Sequence, residues 1–264
     1  MVDDGNTTRE DSTDGAYSIR KYTWRTGNGT TTWDVPVGVT EVEYLVIGAG
    51  GSGYYGGGGA GGLRENSATK DFAVAGSLTV TVGNGAVGFG GEDSVFSTVT
   101  AVGGGQDNYN GNGGNGGCGG GAGLYGGTGV ATGGIGSVGY NGGDGTGIDG
   151  TYLGHGGGGG MGSVGTNGTW NTAGNGGAGI ANSITGTPVT YCSGGCGSAM
   201  IYPTRTYGTG INVPTASLGE GSGAGVSATA GSSGVVIIRY LTPVAAENLS
   251  GIGMGSANMM TAGV

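Results

Sequence analysis

Glycine recurs at every third residue from Gly111 to Gly129 without a miss, and the same spacing returns at Gly50 to Gly62, Gly133 to Gly145 and Gly156 to Gly168. Three residues per turn is the period of polyproline II, not of an α-helix or a β-strand. An aperiodic chain with 74 glycines in 264 residues would read as low complexity. A collagen triple helix needs an unbroken Gly-X-Y phase and abundant proline. Here the phase slips between Gly129 and Gly133 and again near Gly150, and there are only 5 prolines. What remains is a set of short polyproline II segments that fold back and pack on one another. Such segments have no internal hydrogen bonds, so each must find partners in its neighbours. Ordering so much glycine is entropically costly, and the lattice therefore needs a rigid frame.

The frame is visible as β-type runs between glycine tracts. Tyr17 to Trp24 and Thr30 to Val35 alternate polar and apolar residues, and Glu41 to Ile47 (EVEYLVI) alternates and then becomes a buried apolar run. Leu78 to Val82, Ser94 to Val102 and Val189 to Cys192 follow, and Val235 to Leu241 (VVIIRYL) closes the series. Bounded by Gly, Pro and Asn, these are strand signals. No segment carries a helical period with caps. The expected fold is all-β: a β-sandwich-like scaffold with polyglycine or polyproline II segments and long loops, and almost no helix. Alternation places Val42, Tyr44 and Val46 on one strand face, with Val235 to Tyr240 in the same or the facing sheet. Three parts are expected: an acidic N-terminal arm over 1–16, a glycine-rich β domain over 17–241 with its densest glycine at about 103–186, and an Ala/Gly/Met tail over 242–264.

Charge is sparse and acidic, 8 Lys and Arg against 17 Asp and Glu, a net of −9. Without a basic run, no nucleic-acid partner is expected. Asp3, Asp4, Glu10, Asp11 and Asp14 fall in the first fourteen residues and read either as a solvated arm or as an arm docking on a basic surface. No apolar stretch reaches membrane-span length, and the N-terminus lacks the basic and apolar regions of a signal peptide, so export would need another route, such as assembly into a particle released by lysis.

Candidate chemistry is thin. Gly48 to Gly53 spells G-x-G-x-x-G after a strand, but Tyr54, Tyr55 and four glycines follow where a dinucleotide fold needs a helix N-terminus. No Walker lysine motif is present, and His155 is the sole histidine, with no nucleophile elbow. Cys118, Cys192 and Cys196 form an odd set: Cys192 and Cys196 can pair, all three can be free thiols, or they can join His155 at zinc, although C-x3-C lacks the tight C-x2-C knuckle. Asp144 and Asp149 offer one mis-spaced copy of a calcium roll that needs tandem copies. The expectation is no enzyme, no cofactor and no metal. The residues to single out are aromatics set in glycine-rich sequence: Tyr54, Tyr55, Tyr109, Tyr125, Tyr140, Tyr152, Trp170, Tyr202 and Tyr207. On rigid loops they supply contact area at low entropic cost, as sugar- or protein-binding tips; alternatively they seal the edges of the glycine lattice.

The stretches Thr30 to Glu65, Ser77 to Ala86, Gly176 to Gly197 (GGAGIANSITGTPVTYCSGGCG) and the closing GSSGVVIIRYL together resemble the glycine-rich domain of bacteriophage tail-fibre and other virion-associated proteins. The glycine periodicity alone is also similar to polyglycine-II tip adhesins of T-even-type phages. The resemblance implies a non-enzymatic structural protein on the surface of a virus particle, a tail-fibre or adhesin component or a capsid fibre or decoration protein. It implies other virion proteins and further copies of the chain as partners, with a host-surface glycan or protein as receptor. It transfers no catalytic residues. An ice-binding polyproline II protein and a self-assembling matrix or filament protein are the alternatives. The tail has too little bulk for its own core, and Leu249, Ile252, Met254, Met259 and Met260 are adaptable apolar side chains suited to a partner's groove.

Overall fold

The strand Glu41–Ile47 is the hinge of the architecture because both of its faces are buried. In the computed structural model, which describes residues 2–3, 5–27, 29–85, 88–124, 129–148, 151–201, 204–209, 220–225 and 230–243, it pairs antiparallel with Val235–Leu241, setting Val236 opposite Val46 and Ile238 opposite Tyr44. The other edge of Val235–Leu241 takes Tyr17–Trp24, which in turn pairs along its length with Thr7–Asp14. Val2–Asp3 and Leu63–Glu65 form the two margins of this sheet, and Phe72–Ala73 pairs with the start of Glu41–Ile47. A second sheet orders Val99–Ala101, Ser94–Phe96, Ser77–Thr81 and Thr30–Asp34. The two sheets close on Tyr22, Trp33, Val46, Val80, Phe96 and Ile238, with Trp33 centred 5.6 Å from Tyr240 and 6.1 Å from Phe96. Val42, Tyr44 and Val46 all face this core, as their alternation requires. The described residues contain no helix.

Two readings need correction. The acidic segment is not an arm from Thr7 onward: Thr7–Asp14 is a full strand with Thr7 buried. Two of its acids are paired, Asp11 with Arg9 at 3.1 Å and Arg20 at 3.4 Å, and Asp14 with Arg239 at 2.8 Å. Alternation was hidden because an outer strand needs few apolar residues, and charge there discourages edge-on pairing with other chains. Ser94 to Val102 is not one strand but a hairpin folded at Ser97–Thr98, where Ser97 adopts φ 54° and lets Phe96 pair with Val99.

The opposite face of the first sheet carries Ile19, Leu45, Ile47, Val235 and Ile237, and against it sit Ala60, Cys118, Ile184, Tyr191 and Cys192. This second core seats the glycine region. Successive N–H groups of row 56–62 point in three directions. Gly57 and Ala60 donate to Gly156 and Gly159, Gly58 and Gly61 to Ala224 and Gly221, Gly59 and Gly62 to Gly105 and Val102. The carbonyls of Gly57, Gly58 and Gly59 accept from Gly121, Gly195 and Gly51, so the row is ringed by six neighbours. Row 155–161 repeats the pattern: His155, Gly158 and Met161 donate to one neighbour, Gly156 and Gly159 to a second, Gly157 and Gly160 to a third. Period three in hydrogen-bond direction is the period-three backbone expressed in space.

Glycine is required here for space. Of the described glycines in these rows only Gly221 has φ in the left-handed region. A Cβ on Gly119, Gly120 or Gly121 would overlap the carbonyl oxygen of Gly134, Gln106 or Gly156 respectively, three different neighbours. Interior rows therefore need glycine or alanine at nearly every position, and glycine at every third residue suffices only where a row meets the lattice on one side. Gly117 and Gly123 are packed in the same way, while Gly114 is looser, its nearest contact being Gln106 O at 3.1 Å. The lattice also extends beyond 103–186, recruiting rows 48–53, 56–62, 192–198, 220–225 and 230–234.

All three cysteines are buried free thiols. Cys192 and Cys196 do not pair; Cys192 lies instead in the same core as Cys118. Burial pushes the Cys118 thiol up to about 12 and Cys192 well above its usual range, so both are inert, small apolar fillers. Among the described residues no group of three or more His, Cys, Asp or Glu side chains is arranged to hold a metal.

Candidate functional site

Rows 48–53 and 56–62 run in opposite senses, and the turn joining them stands at the lattice end remote from the sandwich. This turn carries Tyr54 and Tyr55. A second turn at the same end, after row 102–107, carries Tyr109. Asp107 connects them: its buried carboxylate accepts the N–H groups of Tyr55 and Gly56, each at 2.9 Å. Burial pushes this carboxyl up to about 6, opposed by the N–H groups of Tyr55, Tyr54 and Gly56. The three tyrosines form one cluster, with centroids 4.8 Å apart for Tyr54 and Tyr55, 5.0 Å for Tyr54 and Tyr109 and 5.2 Å for Tyr55 and Tyr109. Tyr55 is buried, whereas Tyr54 and Tyr109 are 40 % and 43 % exposed. The cluster thus has a fixed root and a presented surface.

Beneath Tyr55 lies the five-stranded sheet of Gly129–Ala131, Gly145–Ile148, Tyr152–Gly154, Ser198–Ile201 and Thr204–Tyr207. Ser198 donates both its N–H and its hydroxyl to the Tyr55 carbonyl, at 2.9 and 3.1 Å. The Arg205 guanidinium stands 4.9 Å over the Tyr55 ring, and His155 meets that ring edge-on at 5.0 Å. Burial, helped by the charge of Arg205, lowers His155 to about 4, so the ring is neutral and its Nε2–H donates to the Leu124 carbonyl at 3.1 Å. His155 is a buried brace of the far end.

On its other face the same sheet aligns Ile148, Tyr152 and Ile201 by direct cross-strand pairing. Trp170, on the turn between Thr169 and Thr172, meets Tyr152 edge-on with centroids 5.8 Å apart. Tyr207, half-exposed, lies opposite Ser198. Among the described residues the aromatic set is therefore gathered at one end with one exception. Tyr140 donates its N–H to Gly160, beside Met161, which packs on the core at the sandwich end. Tyr125 and Tyr202 lie outside the described residues, as do Leu249, Ile252, Met254, Met259 and Met260.

Sequence reasoning missed Asp107, Arg205, Ile148 and Ile201. Asp107 left a signal, an acid ending a glycine row just before a turn (QDNYN). The others depend on cross-strand neighbours that lie far away in sequence. The G-x-G-x-x-G stretch is a lattice row whose N–H groups from Gly48 through Ser52 are all taken by protein carbonyls, leaving none to cradle a phosphate.

A β-sandwich base bearing a backbone-bonded glycine lattice with an aromatic end defines a glycine-rich, all-β structural class. The chain belongs to the glycine-rich domain family, whose profile matches residues 25–241. No curated protein matches it. The hairpin of Thr7–Asp14 and Tyr17–Trp24 precedes the matched region, although it completes the first sheet.

Proposed function

We propose that this chain is a non-enzymatic structural protein of a virus particle, a tail-fibre or adhesin component or a capsid fibre or decoration protein, which presents its tyrosine end to a host surface. The observation that carries the reading is the convergence of Tyr54, Tyr55 and Tyr109 from two separate turns, rooted by the buried Asp107. Rigid aromatic anchors at the end of a preorganised support provide contact area at little entropic cost. The particle setting is supported by the stretches that resemble virion-associated glycine-rich domains. Other virion proteins and further copies of the chain are the partners in this reading, with the 242–264 tail as the assembly element.

Immunogold electron microscopy of native particles tests the location, with label expected on the particle surface. Label absent from particles would end the reading. Particles bearing Tyr54→Ala and Tyr109→Ala should assemble but adsorb poorly to host cells. Deleting 247–264 should prevent incorporation while leaving the circular-dichroism spectrum of the purified domain intact; normal incorporation would remove the assembly role of the tail.

A further inference from the structure

We propose that the outer face of the far-end sheet, centred on Trp170 and Tyr152, binds an uncharged hexose of a surface glycan. The proposal rests on reading the far end as a contact surface, and it is independent of which particle carries the chain.

Direct cross-strand partners project from the same side of a sheet, so Ile148, Tyr152 and Ile201 make one apolar strip. Ile148, Ile201 and Trp170 are each about half exposed, an unusual concentration of apolar surface on a chain whose lattice hides its small apolar residues. Trp170 is held by backbone geometry: Thr169 and Thr172 exchange N–H···O=C bonds of 2.9 and 3.1 Å around it. The turn is anchored in turn by Gly168 N–H on Asp144 O at 2.8 Å and by the Thr146 hydroxyl on Gly168 O at 2.9 Å. The Tyr152 and Trp170 rings stand at 78°, making a corner of one wall and one floor.

The rim decides the ligand class. Asn171 is exposed, and its carboxamide oxygen accepts the hydroxyls of Thr169 at 3.3 Å and Thr172 at 3.0 Å. Pinned through its oxygen, that amide offers its NH2 donors outward. Thr204 and Thr206 add hydroxyls on the same side of the sheet. Along the paired strands of this face the described side chains are uncharged, because Arg205 points to the opposite face, over Tyr55, and the Asp144 carboxylate that precedes them is taken up by the Gly133 N–H at 2.9 Å. A charged ligand would find no free counter-charge on these strands. A wholly apolar partner would bury the Asn and Thr groups without hydrogen bonds, at a cost. A neutral pyranose offers what the corner lacks: an apolar C–H face for the rings and hydroxyls for the rim.

The test uses the purified full chain with neutral gluco-, galacto- and N-acetylhexosamine trisaccharides, alongside sialylated and sulfated counterparts, followed by saturation-transfer NMR and calorimetry. At least one neutral trisaccharide should bind, with affinity reduced about tenfold or more by Trp170→Ala, the scale of losing a central aromatic anchor. Circular dichroism checks folding, and Asn171→Ala, which touches no core, should also weaken binding. Binding only of charged glycans, binding of none, or neutral binding unchanged by Trp170→Ala overturns the proposal. So does a concentration-dependent dimer in sedimentation velocity that Trp170→Ala dissolves, since the face would then belong to a second copy. Tyr54→Ala with Tyr109→Ala should leave trisaccharide affinity intact, so failure here is distinguishable from failure of host adsorption.

Discussion

The sandwich base and the glycine lattice solve the same problem in opposite ways. In the base, apolar side chains such as Trp33, Val46, Phe96 and Ile238 fill the space between two sheets, and burial of their surface is the main favourable term. In the lattice most positions carry no side chain and the backbone itself fills the space, successive N–H groups reaching three different neighbouring rows. Each such hydrogen bond contributes only about 0.5–1.5 kcal/mol net, but leaving one unmade inside the bundle costs more. A core of side chains tolerates exchange of one apolar shape for another. A core of backbone tolerates no Cβ at all where the next carbonyl already stands. The lattice also cannot begin alone: its rows are oriented at one end by the core of Ile19, Leu45, Ile47, Val235 and Ile237.

The sharpest way to break this contrast is to remove residues 1–24. That deletion strips Ile19 and Tyr22 from the two cores and bares one edge of Val235–Leu241. We expect aggregation or loss of folding by size-exclusion chromatography and circular dichroism. A soluble, fully folded 25–264 chain would show that the base does not need the hairpin. Next in size, Gly120→Val should cost about 3 kcal/mol, the upper part of the range for overpacking, because its Cβ would overlap the Gln106 carbonyl. Ile238→Val in the base should cost about 1 kcal/mol. Urea midpoints that rank these two the other way would refute the distinction between backbone and side-chain cores.

Asp107→Ala should cost about 2 kcal/mol, since it leaves the buried N–H groups of Tyr55 and Gly56 without an acceptor. The pH dependence sharpens this. Asp107 titrates at about 6 in the fold against 3.8 when unfolded, so its stabilising contribution is full below pH 4 and is lost as pH rises through 6. His155 works in the other direction: lowered from 6.5 to about 4, its contribution is present above pH 6.5 and lost as pH falls through 4. Comparing wild type with Asp107→Asn at each pH cancels the His155 term, and the stability gap should widen in favour of wild type between pH 7 and pH 4.5. A gap that stays constant would mean that Asp107 is not held buried. The smallest effect on stability is expected for Tyr54→Ala, about 0.5 kcal/mol, because the residue is 40 % exposed and its ring partners are the other tyrosines of the end cluster. A large drop in melting temperature would make Tyr54 a seal on the lattice instead of a contact residue.

Much of the base was legible in the chain. EVEYLVI announced its two faces, and the closing VVIIRYL announced a buried partner. Thr7–Asp14 was not legible, because a polar outer strand looks like a solvated arm until Arg9, Arg20 and Arg239 are known to answer its acids. Within the lattice, period three was legible, but which rows lie inside was not. Of the far-end cluster, the tyrosines stood out by their glycine context, whereas Asp107 and Arg205 gained meaning only from what folds against them.

The sequence by itself determined that the backbone would turn every three residues and that β-strands would have to frame it, since both follow from local spacing and side-chain volume. Only the tertiary structure decided which six rows surround 56–62, why Cys192 shares a core with Cys118 and not a bond with Cys196, and why Tyr54 and Tyr109 meet while Tyr140 stays at the other end. Those outcomes depend on contacts between segments far apart in the chain, and a glycine row looks the same from every side until its neighbours are in place.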